Sequence, residues 1–336
     1  MLKKILWVLF VGLLCLLMVA GLYIFSITAE RPVDDARVDS IVSGNEYEAQ
    51  GQAANVWLSS LYVAHKVPSL SAAVGIGGKV VWAGAIGHAD LDGKIAADPS
   101  TQYRVGSIAK SLTAAAFMRI QEKSVIQLND KFRKHVPDYA GGNTDYTLKQ
   151  LLSHQSGIRH YQSGITENFS NREYTSTREA AAIVEQDPPL FSAGEGFNYS
   201  TYGYTLLALA MESAHQYPFE KIMTEEVFSP LQMNSTSFDK ADNRHNQNRA
   251  TPYLLLKNTL LKSPAVNLSY KYAGGGYLST PTDIVSFANA LLGNQFLSEK
   301  SVSELWTPVP LNNGDANPEN YALGFRLGED ALGRFI

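Results

Sequence analysis

The chain has 336 residues, 45% of them hydrophobic, so it is long enough to bury one large core or two smaller ones. Its formal net charge is −4 and the sequence contains no run of Lys and Arg, which argues against nucleic-acid binding. The single cysteine, Cys15, excludes an intramolecular disulfide and a cysteine-based metal site.

Residues 1–29 are predicted to form a membrane anchor or a signal sequence. Lys3 and Lys4 precede an uncharged apolar run over residues 5–27. At roughly 1.5 Å per residue, a helix of this length spans the hydrocarbon core of a bilayer. The two lysines indicate a cytoplasmic N-terminus. We therefore expect a membrane-anchored, extracytoplasmic protein on the periplasmic side of an inner membrane, with a cleaved signal peptide as the alternative.

After a polar tether over residues 30–45, one domain is predicted over residues 46–336. Apolar residues at helical spacing predict a first helix over Glu46–His65. The β-rich segments Leu70–Ile76 and Val80–Ile86 flank a Gly-Gly pair, which predicts a hairpin.

The next helix is predicted to begin at Ser107, directly after Gly106. Ser107 and Lys110 are three positions apart, so they share a helix face and their hydroxyl and amine can meet. The apolar surroundings and the positive end of the helix favour a neutral amine, which can accept a proton from serine. The alternative is an ordinary helix start with a solvated lysine, because Ser-x-x-Lys is a short pattern that recurs at Ser237–Lys240.

Residues 125–270 are predicted to be mainly helical, with short helices joined by loops. Strands before this region and a strand at Ala322–Leu327 after it complete the expected fold. The fold class is therefore α/β (α+β), an antiparallel sheet flanked by helices with a helical insertion. The expected helices of the middle and the end of the chain are Leu148–Leu152, Arg178–Gln186, Tyr204–Ser213, Phe219–Phe228, 281–292 and 298–306.

Four motifs in order carry a family resemblance: Ser107–Lys110, Leu151–Ile158, Phe197–Tyr204 and Tyr272–Thr280. They resemble the active-site-serine β-lactamases and penicillin-binding proteins, whose first motif is Ser-x-x-Lys. The match is strongest to the class C β-lactamase-like branch, close in motif to the mitochondrial β-lactamase-like protein and its bacterial relatives.

The resemblance implies a role for each site residue. Ser107 is the expected nucleophile and Lys110 its general base. Tyr199 is expected to protonate the leaving group, with its pKa lowered by the neighbouring ammonium of Lys110. Thr201 stands where the family usually has asparagine or serine, and it is expected to contact substrate or to cap a helix.

The resemblance also implies a third motif, Lys/His-x-Gly, on a strand just beyond residue 336. We therefore expect this chain to lack the closing strands and the terminal helix of the family. His154 and His160 are predicted to structure their loop, since no Gly-x-Ser-x-Gly elbow accompanies them. No metal and no cofactor are expected, because no pair of ligands stands at helical spacing.

The resemblance implies a serine hydrolase of the β-lactamase and D-Ala-peptidase class that acts through an acyl-enzyme. The expected substrate is a small molecule or a peptide: a peptidoglycan-like peptide, a β-lactam or an ester. The alternative is a catalytically impaired fragment or a binding protein derived from the same fold.

Overall fold

The predicted membrane anchor lies outside the residues that the structure describes. No helix within the described ranges is both long and apolar enough to cross a bilayer. The computed structural model describes residues 36–141, 145–162, 167, 170–240, 248–256, 259–331 and 333–336.

Helices and strands are numbered in chain order. The helices are α1 (Glu48–His65), α2 (Ile108–Glu122), α3 (Phe132–His135), α4 (Leu148–Leu152), α5 (Thr177–Ala181), α6 (Thr201–His215), α7 (Phe219–Met223), α8 (Tyr272–Gly275), α9 (Pro281–Leu292) and α10 (Glu299–Leu305). The strands are β1 (Asp39–Val42), β2 (Ser69–Ile76), β3 (Lys79–Asp90), β4 (Ile95–Ala96), β5 (Tyr103–Arg104), β6 (Ser237–Phe238), β7 (Tyr253–Leu256), β8 (Thr259–Lys262), β9 (Tyr277–Ser279), β10 (Gly328–Asp330) and β11 (Gly333–Phe335).

The main sheet confirms the predicted hairpin and adds a strand that the sequence did not suggest. β2 and β3 pair antiparallel across the Gly-Gly turn, and β1 pairs with the other edge of β3. β1 lies inside the segment predicted as a tether, so that prediction is wrong for residues 39–42. The strand is only four residues long, too short for its alternation to stand out from the polar segment around it.

The core of the molecule surrounds α2. Ten of its residues are buried, and the largest of them, including Leu112, Phe117 and Met118, are fully inaccessible. A helix that is apolar nearly all round must lie inside a domain. α6 is equally buried along Thr201–Met211 and packs in the same cluster. The N-terminal end of α2 is thereby fixed between the helical part and the sheet.

The starts of α4 and α9 agree with the prediction because their capping residues are present, whereas α6 begins at Thr201, three residues before the predicted Tyr204. Thr147 and Gln150 form a reciprocal capping box on α4, and Thr280 and Ser298 cap α9 and α10 through their hydroxyls. α5 begins at Thr177, one residue before the predicted start at Arg178, and the Ser176 hydroxyl caps it by accepting from the N–H of Glu179.

Two predictions about strands are wrong. The segment Ala322–Leu327 is a turn, closed by an isolated bridge between Tyr321 and Arg326, and the strands β10 and β11 follow it. Gly324 has φ of +80° there, which an extended strand does not accommodate. The region predicted as helical also contains the hairpin β7–β8. Despite these differences, the predicted class, an antiparallel sheet flanked by helices, is confirmed.

Candidate active site

Ser107 is the residue that begins α2, and its side chain faces solvent. Its hydroxyl makes no capping hydrogen bond, although it occupies the capping position. Its backbone N–H donates to no described residue. Because the first N–H groups of a helix lack partners and carry the positive end of the dipole, this amide is placed to stabilise a negative oxygen.

Lys110 lies one turn further along α2 and is fully buried. Its amine donates to the Gly274 carbonyl oxygen at 2.6 Å and to the Thr201 hydroxyl at 3.2 Å. Neither hydrogen bond goes to Ser107, so the predicted direct contact between the amine and the Ser107 hydroxyl is not present. Burial, and then the positive charge of Lys271, lower the pKa of Lys110 to about 7. A substantial fraction of the amine is neutral at physiological pH, as a general base requires.

The glycine-rich segment reaches Lys110 because Gly274 has no side chain. A Cβ on Gly274 would lie 2.7 Å from the Cγ2 atom of Thr201, closer than two carbons can approach. The Thr113 hydroxyl donates to the carbonyl oxygen of Ala273 at 2.8 Å and ties the same segment to α2. The segment whose carbonyl oxygen accepts from the Lys110 amine is thus packed against Thr201 and hydrogen-bonded to α2.

Tyr199 lies between the nucleophile and the lysine. The Lys110 amine is 4.7 Å from the centroid of the Tyr199 ring, and the Ser107 hydroxyl is close enough to the phenol to favour its ionised form. Burial raises the pKa of Tyr199, and the contacts with Ser107 and Arg326 only partly oppose it. The predicted lowering of this pKa is wrong, because the effect of burial outweighs the contacts that favour the phenolate. The phenol therefore stays protonated and can donate.

Thr201 is turned inward rather than towards the solvent-exposed side of the site. It is 3% exposed, and its hydroxyl accepts the hydrogen bond from Lys110. The alternative role as a helix cap belongs to its neighbour, since the Ser200 hydroxyl accepts from the N–H of Gly203. Thr201 contacts the base, and its hydroxyl reinforces the position of the amine.

The two histidines hold the backbone that carries Tyr199, as predicted. Nδ1 of His154 accepts from the N–H of Ser200 at 3.1 Å, and Nδ1 of His160 accepts from the N–H of Thr201 at 3.3 Å. Burial and the nearby Lys110 hold the pKa of His154 well below its usual range. The same two causes, with Lys271, lower the pKa of His160 to about 4. Both rings are neutral acceptors at physiological pH.

A groove of about 740 Å³ opens on Ser107 and Tyr199. Its walls are largely apolar, with Ile284 and Phe325 among them, and Arg326 supplies a positive charge. Arg326 forms an ion pair with Glu319 at 2.5 Å, and both side chains are exposed. A larger cavity of about 1030 Å³ lies elsewhere, beside Glu212 and Tyr217, and contains none of the predicted site residues.

Sequence reasoning missed three contributors to this site. Gly324 passes so close to α2 that a Cβ there would lie 2.9 Å from the carbonyl oxygen of Lys110. Ser111 donates to the carbonyl oxygen of Gly324 at 2.7 Å. Lys271 lowers the pKa of Lys110. Only Lys271 had a sequence signal, its position directly before the glycine-rich motif. Within the described ranges, no three His, Cys, Asp or Glu side chains converge on a metal site.

Comparisons with known proteins agree with this arrangement. The mouse mitochondrial serine beta-lactamase-like protein LACTB is 27% identical over 332 residues, which is 72% of this chain and 60% of that protein. Protein flp of Staphylococcus aureus strain COL is 31% identical over 79% of this chain and 53% of its own length. The chain therefore spans little more than half the length of these curated relatives.

The fold is shared with solved structures. The octameric penicillin-binding protein homologue from Pyrococcus abyssi superposes with a TM-score of 0.70 at 25% identity, over 84% of this chain and 66% of that one. A D-amino acid amidase from Ochrobactrum anthropi gives 0.71 at 22% identity, over 83% and 81%. The family model described as Beta-lactamase matches residues 45–335. The chain therefore belongs to the beta-lactamase family.

Proposed function

We propose that this protein is a serine hydrolase that forms an acyl-enzyme on Ser107. The observation that supports this most strongly is the fully buried Lys110, whose pKa is lowered to about 7 one turn from an exposed serine. A buried, unpaired lysine is unfavourable for folding, and such groups are concentrated at functional sites. Membership of a family of serine hydrolases supports the same reaction class.

The reaction begins with transfer of the Ser107 hydroxyl proton to the neutral amine of Lys110. Because the two groups share no hydrogen bond, the phenol of Tyr199, which lies between them, relays the proton. The serine oxygen attacks the carbonyl carbon, and the negative oxygen of the tetrahedral intermediate is stabilised by the N–H of Ser107. Tyr199, still protonated, donates its proton to the leaving group as the bond to the carbonyl carbon breaks, and the Lys110 ammonium returns a proton to the phenolate. The amine is then neutral again and can accept the proton of the water that attacks the acyl-enzyme. Water then attacks the acyl-enzyme and releases the acid.

The proposed substrate is an amide, a β-lactam or an ester of a small molecule or a peptide. The groove beside Ser107 is open to solvent and mostly apolar, which suits a small acyl compound. A peptidoglycan-like peptide is included because one structural neighbour is described as a penicillin-binding protein homologue and another as a D-amino acid amidase.

Hydrolysis of 4-nitrophenyl butyrate and a chromogenic cephalosporin tests this function. Ser107→Ala should abolish release of the chromophore, and Tyr199→Phe should lower kcat by about 10² or more, the effect of losing a positioned acid. Ser237→Ala is the matched control, because Ser237 carries the other Ser-x-x-Lys pattern of the sequence and lies on β6. Equal activity in Ser107→Ala and wild type would refute the proposal.

We also propose that residues 1–29 attach the domain to the outer face of a cytoplasmic membrane. Support comes from Lys3 and Lys4 before the uncharged run of residues 5–27. Full-length protein should remain in the membrane fraction after carbonate extraction, and a variant starting at residue 30 should be released. If expression of the full-length sequence yields soluble protein whose mature N-terminus is near residue 30, attachment through this segment is contradicted.

A further inference from the structure

Lys271 lies near the base Lys110 and lowers its pKa, but no step of the reaction described above uses the Lys271 amine directly. It directly precedes α8, the segment whose Gly274 carbonyl binds Lys110. A Cβ placed on Gly275 would lie 3.9 Å from Cδ of Lys271 and 3.7 Å from the carbonyl oxygen of Gly106. Gly275 therefore lies close both to the stem of Lys271 and to Gly106, the residue before Ser107.

The ammonium of Lys271 is half-buried without a counter-ion. It lies 5.1 Å from the ring centroid of Tyr161 and 5.0 Å from that of Tyr270, and it makes no hydrogen bond or ion pair with any described residue. Its cationic neighbour Arg104, by contrast, is paired with Asp239. Burial, and then Arg104, lower the pKa of Lys271 to about 8, so the amine is still mainly charged at neutral pH.

Such a charge is unfavourable in the free protein. The Lys271 ammonium has lost part of its hydration, and no anion among the described residues compensates for that loss. Lys110 and Arg104 are also near enough to interact with the ammonium electrostatically. The faces of Tyr161 and Tyr270 stabilise a cation, but they leave its N–H donors without acceptors. An anionic ligand would satisfy these donors and the charge together.

We propose that Lys271 is a specificity residue that binds a carboxylate on the acyl part of the substrate. This inference rests on the proposed function. Tyr199 donates to the leaving group and lines the groove next to Ser107, so the leaving group lies in that groove. Lys271 does not line the groove. The acyl chain then extends along the wall formed by Gly106 and Gly275, towards the ammonium.

Two esters with the same leaving group and acyl length test the proposal. Mono-4-nitrophenyl glutarate carries a terminal carboxylate, and 4-nitrophenyl pentanoate does not. Wild type should prefer the glutarate, and Lys271→Met should lower its kcat/KM by about 10-fold or more, the usual effect of losing a charge-assisted hydrogen bond. The kcat/KM for the pentanoate should change only through the effect of the substitution on Lys110, which both esters share, and Lys271→Arg should retain the preference.

The ratio of the kcat/KM values for the two esters cancels a second effect of the substitution. Loss of the positive charge at Lys271 raises the pKa of Lys110 and so alters both reactions alike. Lys79→Met is the matched control, because Lys79 is an exposed lysine at the start of β3. Equal losses for both esters in Lys271→Met would overturn the role in specificity while leaving the proposed function intact.

Binding without turnover separates the two proposals. Calorimetry is carried out on Ser107→Ala and on the double variant Ser107→Ala/Lys271→Met, with each intact ester as the ligand. The single variant should bind the glutarate about 10-fold or more tightly than the pentanoate, and the double variant should bind both alike. Equal or undetectable binding of the two esters by Ser107→Ala would overturn the inference. Failure of wild type to hydrolyse either ester would instead refute the proposed function.

Discussion

The Lys110 amine donates a 2.6 Å hydrogen bond to the carbonyl oxygen of Gly274, a residue 164 positions away in the chain. This contact joins the helix that begins at the nucleophile to the glycine-rich segment of the fourth motif. It orients an amine that has no carboxylate partner among the described residues. Burial, and then the positive charge of Lys271, make the neutral form of this amine accessible.

Lys110→Arg should inactivate the protein although it keeps the positive charge. A guanidinium does not lose its proton near neutral pH, so it cannot act as a base. Acylation of Ser107 should slow by about 10² or more, and Lys110→Ala should give a loss of the same order. Lys240→Arg is the control, because Lys240 belongs to the second Ser-x-x-Lys pattern and pairs with Glu220. Full activity of Lys110→Arg would show that Lys110 is not the base.

Burial of Lys110 should make stability depend on pH. The pKa of its amine is about 7 in the folded protein and 10.5 in the unfolded chain. Between these values the unfolded chain binds a proton that the folded protein lacks, so stability rises with pH. Relative to Lys110→Met, the free energy of unfolding of wild type should increase by about 2 kcal/mol from pH 7 to pH 9.

Urea denaturation of both proteins at the two pH values measures this difference. Other groups that titrate in the same range, such as Lys271, are present in both proteins and largely cancel. A difference between wild type and Lys110→Met that stays constant from pH 7 to pH 9 would mean that the amine is charged in the folded state.

Thr201 should act on the base and not on the substrate. Thr201→Val removes the hydroxyl that accepts from Lys110 at 3.2 Å and should lower kcat by about 10-fold with little change in KM. The apparent pKa of the reaction should fall, because the hydroxyl stabilises the ammonium. Thr201→Ser should retain most of the activity. A raised KM with an unchanged pH profile would support the direct substrate contact expected from the family resemblance.

Gly324 should be intolerant of any side chain. Its φ is +80°, and an added Cβ would lie 2.8 Å from Cβ of Ala114 and 2.9 Å from the carbonyl oxygen of Lys110. Gly314 is a matched control with φ of +88° and no atom within 4 Å of the added Cβ. Gly314→Ala should lower stability by about 1 kcal/mol, and Gly324→Ala by about 2 kcal/mol more. Equal thermal shifts in the two variants would show that the close approach to α2 is unimportant.

Local patterns in the sequence predicted much of the framework. The hairpin β2–β3 follows from its Gly-Gly turn, and α4, α9 and α10 follow from their capping residues. The family resemblance predicted that four residues meet in one site, and the structure places them together: Ser107, Lys110, Tyr199 and Thr201. These features depend on residues that are adjacent in the chain or that match a known family.

The features that were missed depend on distant contacts. The hydrogen bonds of Lys110 go to Gly274 and Thr201, and no local pattern distinguishes these partners from Ser107. The pKa of Tyr199 depends on its burial, which is decided by the packing of the whole helical part. The sequence around Gly324 is apolar and predicts a strand. The turn there depends on the close approach of Gly324 to α2, which only the structure shows.

The rate at which a fluorescent fluorophosphonate acylates the protein, measured from pH 5.5 to pH 8.5 with mass-spectrometric mapping of the adduct, tests Ser107 and Lys110 together. The adduct should lie on Ser107, and the rate should rise with pH and level off above about 7, because the base of pKa about 7 is then neutral. An adduct on Ser237 or another serine, or a rate that does not change between pH 5.5 and pH 8.5, would contradict the mechanism.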